Sequence, residues 1–347
     1  MANAPATVWE RTFETLHTGA YTEYRIPGIV VTPAGTLLCC YEGRAATNDD
    51  WARIDTVICR STDDGETWTK TVITVPEQLG GTPEDCVNNP TLIVDGTLTH
   101  LIYHQNYARA FHRFSADDGV TWSAPEEITG AYREAPYAWN VCATGPGHGI
   151  RLKGGRLLAP IWLANGRVLD ARRIAHQPSL AGCVYSDDHG MTWHTGALTE
   201  GIADANETTV AQLPDGRVLF NHRNRESDLH RRLTVSADGG MTLSSPTLCA
   251  DLPDPMCFAG MTALADGRIA YAGCINDGDI SPDAPRGRVN LTMMITEDGG
   301  ASWQKLCDVA PIGGYADVAS YQNFLYVLYE VTEQGDISRM MLRKIAL

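Results

Sequence analysis

Apolar residues in this chain gather in short runs that break off before they could make the face of a helix. The stretches 28–32, 36–41, 56–59, 98–103, 156–159, 217–220, 268–271, 291–295 and 325–329 are each four to six residues long, mostly Val, Ile, Leu, Tyr and Cys. Gly, Pro, Asp and Asn bound them, which is the signature of strands separated by tight turns. Pro33-Ala34-Gly35, Lys153-Gly154-Gly155, Pro214-Asp215-Gly216 and Ala265-Asp266-Gly267 each stand directly before one of these runs, where a hairpin would turn. The pattern predicts an all-β fold.

One polar phrase recurs five times, first as Ser61-Thr-Asp-Asp-Gly-Glu-Thr-Trp68 and then from Ser115, Ser186, Ser236 and Thr296. Its skeleton is Ser/Thr, any residue, Asp, any residue, Gly, any residue, Thr/Ser, Trp. The Asp can accept backbone N–H bonds inside a turn, the Gly supplies a positive φ, and the Trp enters the next strand to wedge between sheets. Trp68, Trp122, Trp193 and Trp303 are therefore expected to be buried, while the fourth copy carries Leu243 in that place. Successive copies lie 54, 71, 50 and 60 residues apart, the period of a repeated supersecondary unit. A β-meander repeated in this way predicts a propeller. At about 58 residues per blade, 347 residues make six blades in a single domain spanning 1–347.

Charge and composition narrow the function classes. The net charge of −15, with no Lys/Arg-rich tract to offset it, argues against nucleic acid as a partner. No run of 18 apolar residues exists to span a membrane, and the first residues lack the basic and apolar stretches of a secretory signal. The ten cysteines are scattered without a Cys-x-x-Cys pair, and neighbours Cys39 and Cys40 point to opposite faces of a strand. They read as buried, reduced thiols rather than metal ligands or a disulfide framework, which sets the expectation of a cytoplasmic location.

In a propeller, loops on one face converge on the axis, so distant residues can share a site. Here the loop-rich segments are 43–55, 76–90, 131–149, 165–182, 222–232 and 276–288. Tyr24-Arg25-Ile26-Pro27 opens the first strand, followed by the repeated Asp turns. This combination resembles the exo-sialidases (neuraminidases) over nearly the whole chain, and the repeated phrase resembles their Asp-box turns. The resemblance implies a six-bladed propeller that releases terminal α-linked sialic acid with retention, through a tyrosyl-enzyme intermediate. It calls for no metal or organic cofactor, and its partners would be sialylated oligosaccharides or glycoconjugates.

The chemistry of that substrate gives each matching residue a reason. Sialic acid carries a carboxylate on its anomeric carbon, so a carboxylate nucleophile would approach against like charge, whereas a phenol would not. Tyr315, in Gly313-Gly-Tyr-Ala-Asp-Val-Ala319, matches the family's nucleophile phrase with Ala316 and Val318 as departures. Glu207, in Asn206-Glu-Thr-Thr-Val210, matches the base that would take the phenolic proton. Three arginines would fork onto the substrate carboxylate: Arg25, Arg223 in Asn221-His-Arg223, and Arg288, with Arg286 as a rival for the third. The interval from Arg25 to Asp50 resembles the family's, which implies Asp50 as the acid/base, with Asp49 and Asp55 as competitors and Asp55 the more structural of these. The resemblance further implies that Glu330 braces Arg25, that Arg44 lies near the 4-hydroxyl, and that Trp162 lies beside the glycerol tail or simply in the core. His148, in Gly145-Pro-Gly-His-Gly-Ile150, reads as an ordinary loop histidine on scaffold. Transfer to a second sugar, preference for a deaminated sialic acid, and a non-catalytic sialoglycan-binding propeller remain as alternatives on the same scaffold.

Overall fold

Each apolar run of the sequence becomes part of a strand, and most strands pair antiparallel with a strand close by in sequence. The computed structural model describes residues 5–226, 228–276, 287–333 and 336–347. Six sheets follow one another along the chain. Blade I comprises Glu23–Val31, Leu37–Arg44, Ile54–Ser61 and Thr69–Thr74 from inner to outer strand. Blade II comprises Val87–Asp95, Leu98–Gln105, Arg109–Ser115 and Glu126–Glu127, with Gly147–His148 parallel to its inner edge. Blade III comprises Val141–Thr144, Leu157–Ala164, Ser179–Ser186 and His194–Leu198, and Ile150–Arg151 also pairs with its second strand. Thr208–Gln212, Val218–His222, His230–Ser236 and Thr247–Pro253 build blade IV, and Gly260–Ala263, Ile269–Cys274, Val289–Thr296 and Gln304–Ile312 build blade V.

Blade VI closes the ring with both ends of the chain. Ala316–Tyr321, Phe324–Glu333 and Asp336–Ala346 are its inner three strands, and the N-terminal Ala6–Thr15 is its outermost. This explains why five repeated turns serve six blades. The phrase always joins a third strand to a fourth, and in blade VI those two strands come from opposite ends of the chain.

Each turn is built alike. In the first, Asp63 Oδ1 accepts the Thr67 N–H at 2.9 Å and Oδ2 accepts the Thr67 hydroxyl at 2.6 Å, while Ser61 Oγ accepts the Gly65 N–H at 2.9 Å. Asp117, Asp188, Asp238 and Asp298 repeat the two Asp contacts with the residue four places on. The tryptophans are less uniform than the sequence suggested. Trp193 and Trp303 are buried, but Trp68 and Trp122 are half-buried. The outer strand beyond Trp122 is only Glu126–Glu127, and Trp68 is covered by Phe13 of the N-terminal strand, edge-on at 4.8 Å.

The core is a set of slabs between neighbouring blades. Leu37, Cys39 and Cys59 of blade I pack with Tyr326, Leu328 and Leu342 of blade VI, whereas Leu38, Cys40 and Ile58 pack with Leu92, Leu101 and Phe111 of blade II. Alternate residues of one strand thus serve two interfaces, so both faces are buried and the strands read as continuous apolar runs. All ten cysteines are free, nine of them buried and Cys307 half-buried.

Candidate active site

Strand alternation decides where chemistry can collect. In blades I to V the first and third connections, including every repeated turn, lie at one end of the sheet, and the second connection and the chain's entry lie at the other. At that second end the loops following Arg44, Gln105, Ala164 and His222, together with the starts of the inner strands, surround a cavity of about 190 Å3.

Arg25 reaches this cavity from a distorted stretch of the blade I inner strand. The pairing register shifts between Arg25 and Gly28, and Ile26 has φ +61°, a region that a β-branched residue rarely enters. Glu330, fully buried on blade VI, holds the distortion in place. It accepts Arg25 Nε–H at 2.9 Å and the backbone N–H groups of Ile26 and Tyr315, each at 3.0 Å. Burial pushes the Glu330 carboxyl up, but Arg25 and these donors hold it below the usual carboxylate range.

Blade IV brings two predicted residues face to face. Thr208 pairs with His222, and the ladder continues one step: Asn206 N–H donates to the Arg223 carbonyl at 3.0 Å and Arg223 N–H to the Glu207 carbonyl at 3.1 Å. Their side chains meet as a tight ion pair. Tyr315, immediately before the blade VI inner strand, completes the group. Its hydroxyl donates to Glu207 Oε1 at 2.5 Å and accepts from Arg223 Nη1 at 2.8 Å. The guanidinium carbons of Arg288, Arg25 and Arg223 lie 5.1, 5.3 and 6.0 Å from the centre of its ring. Burial raises the Tyr315 hydroxyl above its ordinary value and Glu207 adds to this, against the pull of the three arginines. The resting phenol therefore keeps its proton.

The remaining predicted residues divide between the cavity wall and the layer behind it. Arg288 lines the cavity, donating from Nη2 to the Met256 carbonyl at 3.2 Å, and its buried Nε has no hydrogen-bond partner among the described residues. Arg286 lies outside the described residues. Asp50 lines the cavity with its side chain 47% exposed and pairs with Arg44 at 2.8 Å. Arg44 sits one layer deeper than the resemblance implied, fully buried, with Glu42 at 2.7 Å, Asp50 and Asn48 occupying its guanidinium. Burial pushes the Asp50 carboxyl up, but Arg44, His176 and Arg25 hold it below the usual range. The two competitors are engaged elsewhere. Asp49 accepts the Trp51 N–H at 2.9 Å and faces Arg173, and Asp55 accepts the Tyr21 hydroxyl at 2.9 Å beside Arg53.

Trp162 is only 3% exposed, in keeping with its core reading, and it also borders the cavity. It packs with Tyr107 and His176, whose ring centres lie 4.7 Å apart, and Trp51 stands 4.9 Å from Tyr107. Tyr107, His176, Asn89 and Arg225 also line the wall and were not singled out by the sequence reading, although Asn89, His176 and Arg225 fall in its loop-rich segments. Burial lowers the His176 imidazole below its ordinary value against the pull of Asp50 and Glu207.

Comparison with known proteins agrees with this architecture. The model of the BNR repeat-like domain matches residues 25–326. A sialidase of Bacteroides fragilis (strain YCH46) is 29% identical over 88% of this chain and 60% of its own length. A sialidase of Micromonospora viridifaciens is 33% identical over 68% of this chain and 38% of its own. The chain thus spans less than two thirds of these curated relatives. Among solved structures, the Hadza microbial sialidase Hz136 superposes with a TM-score of 0.82 at 23% identity, over 97% of this chain and 68% of that one. This chain belongs to the family of the BNR repeat-like domain, in its sialidase group.

Proposed function

We propose that the protein is an exo-α-sialidase that hydrolyses terminal α-linked sialic acids with retention, through a covalent intermediate on Tyr315. One observation carries the reading: a phenol bonded to a carboxylate at 2.5 Å, with three guanidinium groups about its ring in a small cavity. Arg25, Arg223 and Arg288 receive the substrate carboxylate, whose charge sits beside the anomeric carbon. Glu207 takes the Tyr315 proton as the phenolate oxygen attacks that carbon, and the bond to the leaving oxygen breaks as Asp50 protonates it. In the second half, Asp50 takes a proton from water, water displaces Tyr315, and Glu207 returns the phenolic proton. Two displacements at one carbon restore the starting configuration.

Asp50 must carry a proton to serve in the first step, and the free site disfavours one. Substrate changes that balance. Its carboxylate neutralises part of the Arg25 field and its body covers Asp50 from water, and both effects raise the carboxyl's proton affinity.

A 3-fluorinated sialoside with an activated leaving group tests the scheme. The expected result is a trapped adduct that peptide mapping assigns to Tyr315, together with a Tyr315→Phe variant that folds and binds sialic acid but loses most turnover. An adduct elsewhere, or a first-formed product of inverted configuration, overturns it. Following free sugar against sialylated acceptor in the same assay separates hydrolysis from transfer, since both would pass through the same intermediate.

A further inference from the structure

The three arginines about Tyr315 are not braced alike. Arg25 is held by Glu330 and Arg223 by Glu207, each carboxylate in direct contact with its guanidinium. Among the described residues no carboxylate touches Arg288, and the bond that fixes its guanidinium runs to the Met256 carbonyl. A neutral acceptor leaves the Arg288 charge uncancelled, and it holds the guanidinium only as firmly as the backbone that carries it. What fixes residue 256 therefore bears on the third arm of the clamp.

Met256 lies in the link between the outer strand of blade IV, Thr247–Pro253, and the inner strand of blade V, Gly260–Ala263. Its φ of +54° belongs to the left-handed region, which a long side chain enters only where surrounding contacts impose it. Those contacts come from a buried ion pair. Asp254, 3% exposed, accepts the Cys257 N–H on Oδ1 at 2.9 Å, closing a turn over Pro255 and Met256, and its own N–H donates to the Leu229 carbonyl at 2.7 Å. Asp254 Oδ2 pairs with Nε of Arg231 at 3.2 Å, and Arg231 Nη2 donates to the Cys257 carbonyl. Arg231 is wholly buried on the third strand of blade IV and does not border the catalytic cavity. The same link reaches the proposed nucleophile, since the Phe258 and Tyr315 ring centres lie 5.7 Å apart and Ala259 pairs with Ala316.

We propose that Arg231 and Asp254 are positioning residues for Arg288. With Arg288 taken as the third arm of the substrate clamp, as in the proposed mechanism, their ion pair fixes the 254–257 turn so that the Met256 carbonyl aims the guanidinium at the substrate carboxylate. The carboxylate that braces this arginine thus stands one layer back and acts through the turn. A buried ion pair contributes little net stability over an apolar pair of like volume, so fold stability alone offers no reason for charges at 231 and 254. A fork that grips both an Asp side chain and a backbone carbonyl does offer one, because it sets the direction of the turn and not only its depth.

Replacing either residue alone would strand a buried charge, so the test changes both, as Arg231→Met with Asp254→Asn, in the wild-type protein and in Arg288→Ala. In the wild-type background the pair variant should lose about tenfold in kcat/KM on an aryl sialoside and bind sialic acid about tenfold more weakly by calorimetry. In the Arg288→Ala background the same change should cost less than about twofold, because the group it positions is already gone. A merely structural pair would cost the same in both. Should the pair variant fail to fold, Arg231→Lys, which keeps the charge facing Asp254 but lacks the fork that also reaches the Cys257 carbonyl, is read in the same cycle with the same expected split. A wild type that neither binds nor cleaves sialosides would sink the proposed function and leave the positioning claim to crystallography, where Arg288 is expected to leave the Met256 carbonyl in the variant. Equal losses in both backgrounds, no loss in the wild-type background, or a variant structure with Arg288 still on Met256 overturns the proposal.

Discussion

At the scale of single residues, the proton balance of Asp50 is set by a neighbour that never reaches the cavity. Arg44 is fully buried between Glu42 and Asp50, so in the proposed mechanism it acts on Asp50 rather than on the sugar. Replacing Arg44 alone would leave Glu42 buried and unpaired, a loss of about 3–5 kcal/mol that would obscure any kinetic effect. The informative variant changes Glu42 and Arg44 to Gln together. With the guanidinium gone the Asp50 carboxyl rises, and a proton donor with a higher pKa stays protonated to higher pH. The alkaline limb of kcat/KM on alkyl sialosides should therefore move upward, with little movement on activated aryl sialosides that need no donor. A limb in the same place for both proteins would show that Arg44 does not control Asp50. Asp50 was legible as a cavity residue because its interval from Arg25 resembled the family's. Arg44 was legible as a member of the site but not in its place, since sequence spacing carries no depth. Tyr107 and His176 were not legible at all, because each is an ordinary loop residue until the ring closes and stacks them with Trp162.

At the scale of elements, inner strands announced themselves and outer ones did not, for a physical reason. A strand inside the blade such as Leu37–Arg44 is buried along its whole length between two blades, which demands an unbroken apolar run. Outer strands such as Thr69–Thr74 and Gln304–Ile312 bury only part of their length and read as mixed polar sequence. The repeated turns marked those outer strands indirectly, and the N-terminal strand, which no turn introduces, left no such mark. Tryptophan burial then follows the cover each blade provides rather than the shared phrase. Trp303 is buried against Tyr271, with ring centres 5.8 Å apart, while Trp122 borders a two-residue strand. Trp303→Ala should cost about 3–5 kcal/mol in denaturant unfolding, the range for a large aromatic removed from a core. Trp122→Ala should cost clearly less, and equal losses would mean that the phrase itself, not the packing around it, sets the contribution.

At the scale of the whole molecule, the ring depends on a clasp between blades VI and I that the N-terminal strand helps to tie. Ala6–Thr15 pairs along Asp336–Ala346, and its Trp9 and Arg11 reach across to the first repeated turn. Asp64 in that turn also accepts from the Tyr326 hydroxyl at 2.6 Å and pairs with Lys344 at 2.7 Å, so blade VI grips blade I through one carboxylate. Removing residues 1–16 would take away the outer strand, expose the ladder edge of Asp336–Ala346, and strip cover from Phe13's partners Tyr41 and Trp68. An exposed strand edge is a template for pairing with other chains. The truncated protein should therefore unfold at lower temperature and denaturant than the full chain, and elute partly as larger species on gel filtration. Because Tyr315 and Glu330 lie on blade VI and Arg25 on blade I, the same opening should reduce the proposed sialoside hydrolysis even at temperatures where the sheets persist. A truncated protein that stays monomeric, with the midpoint and kcat of the full chain, would show that the other five blade interfaces hold the ring without the clasp.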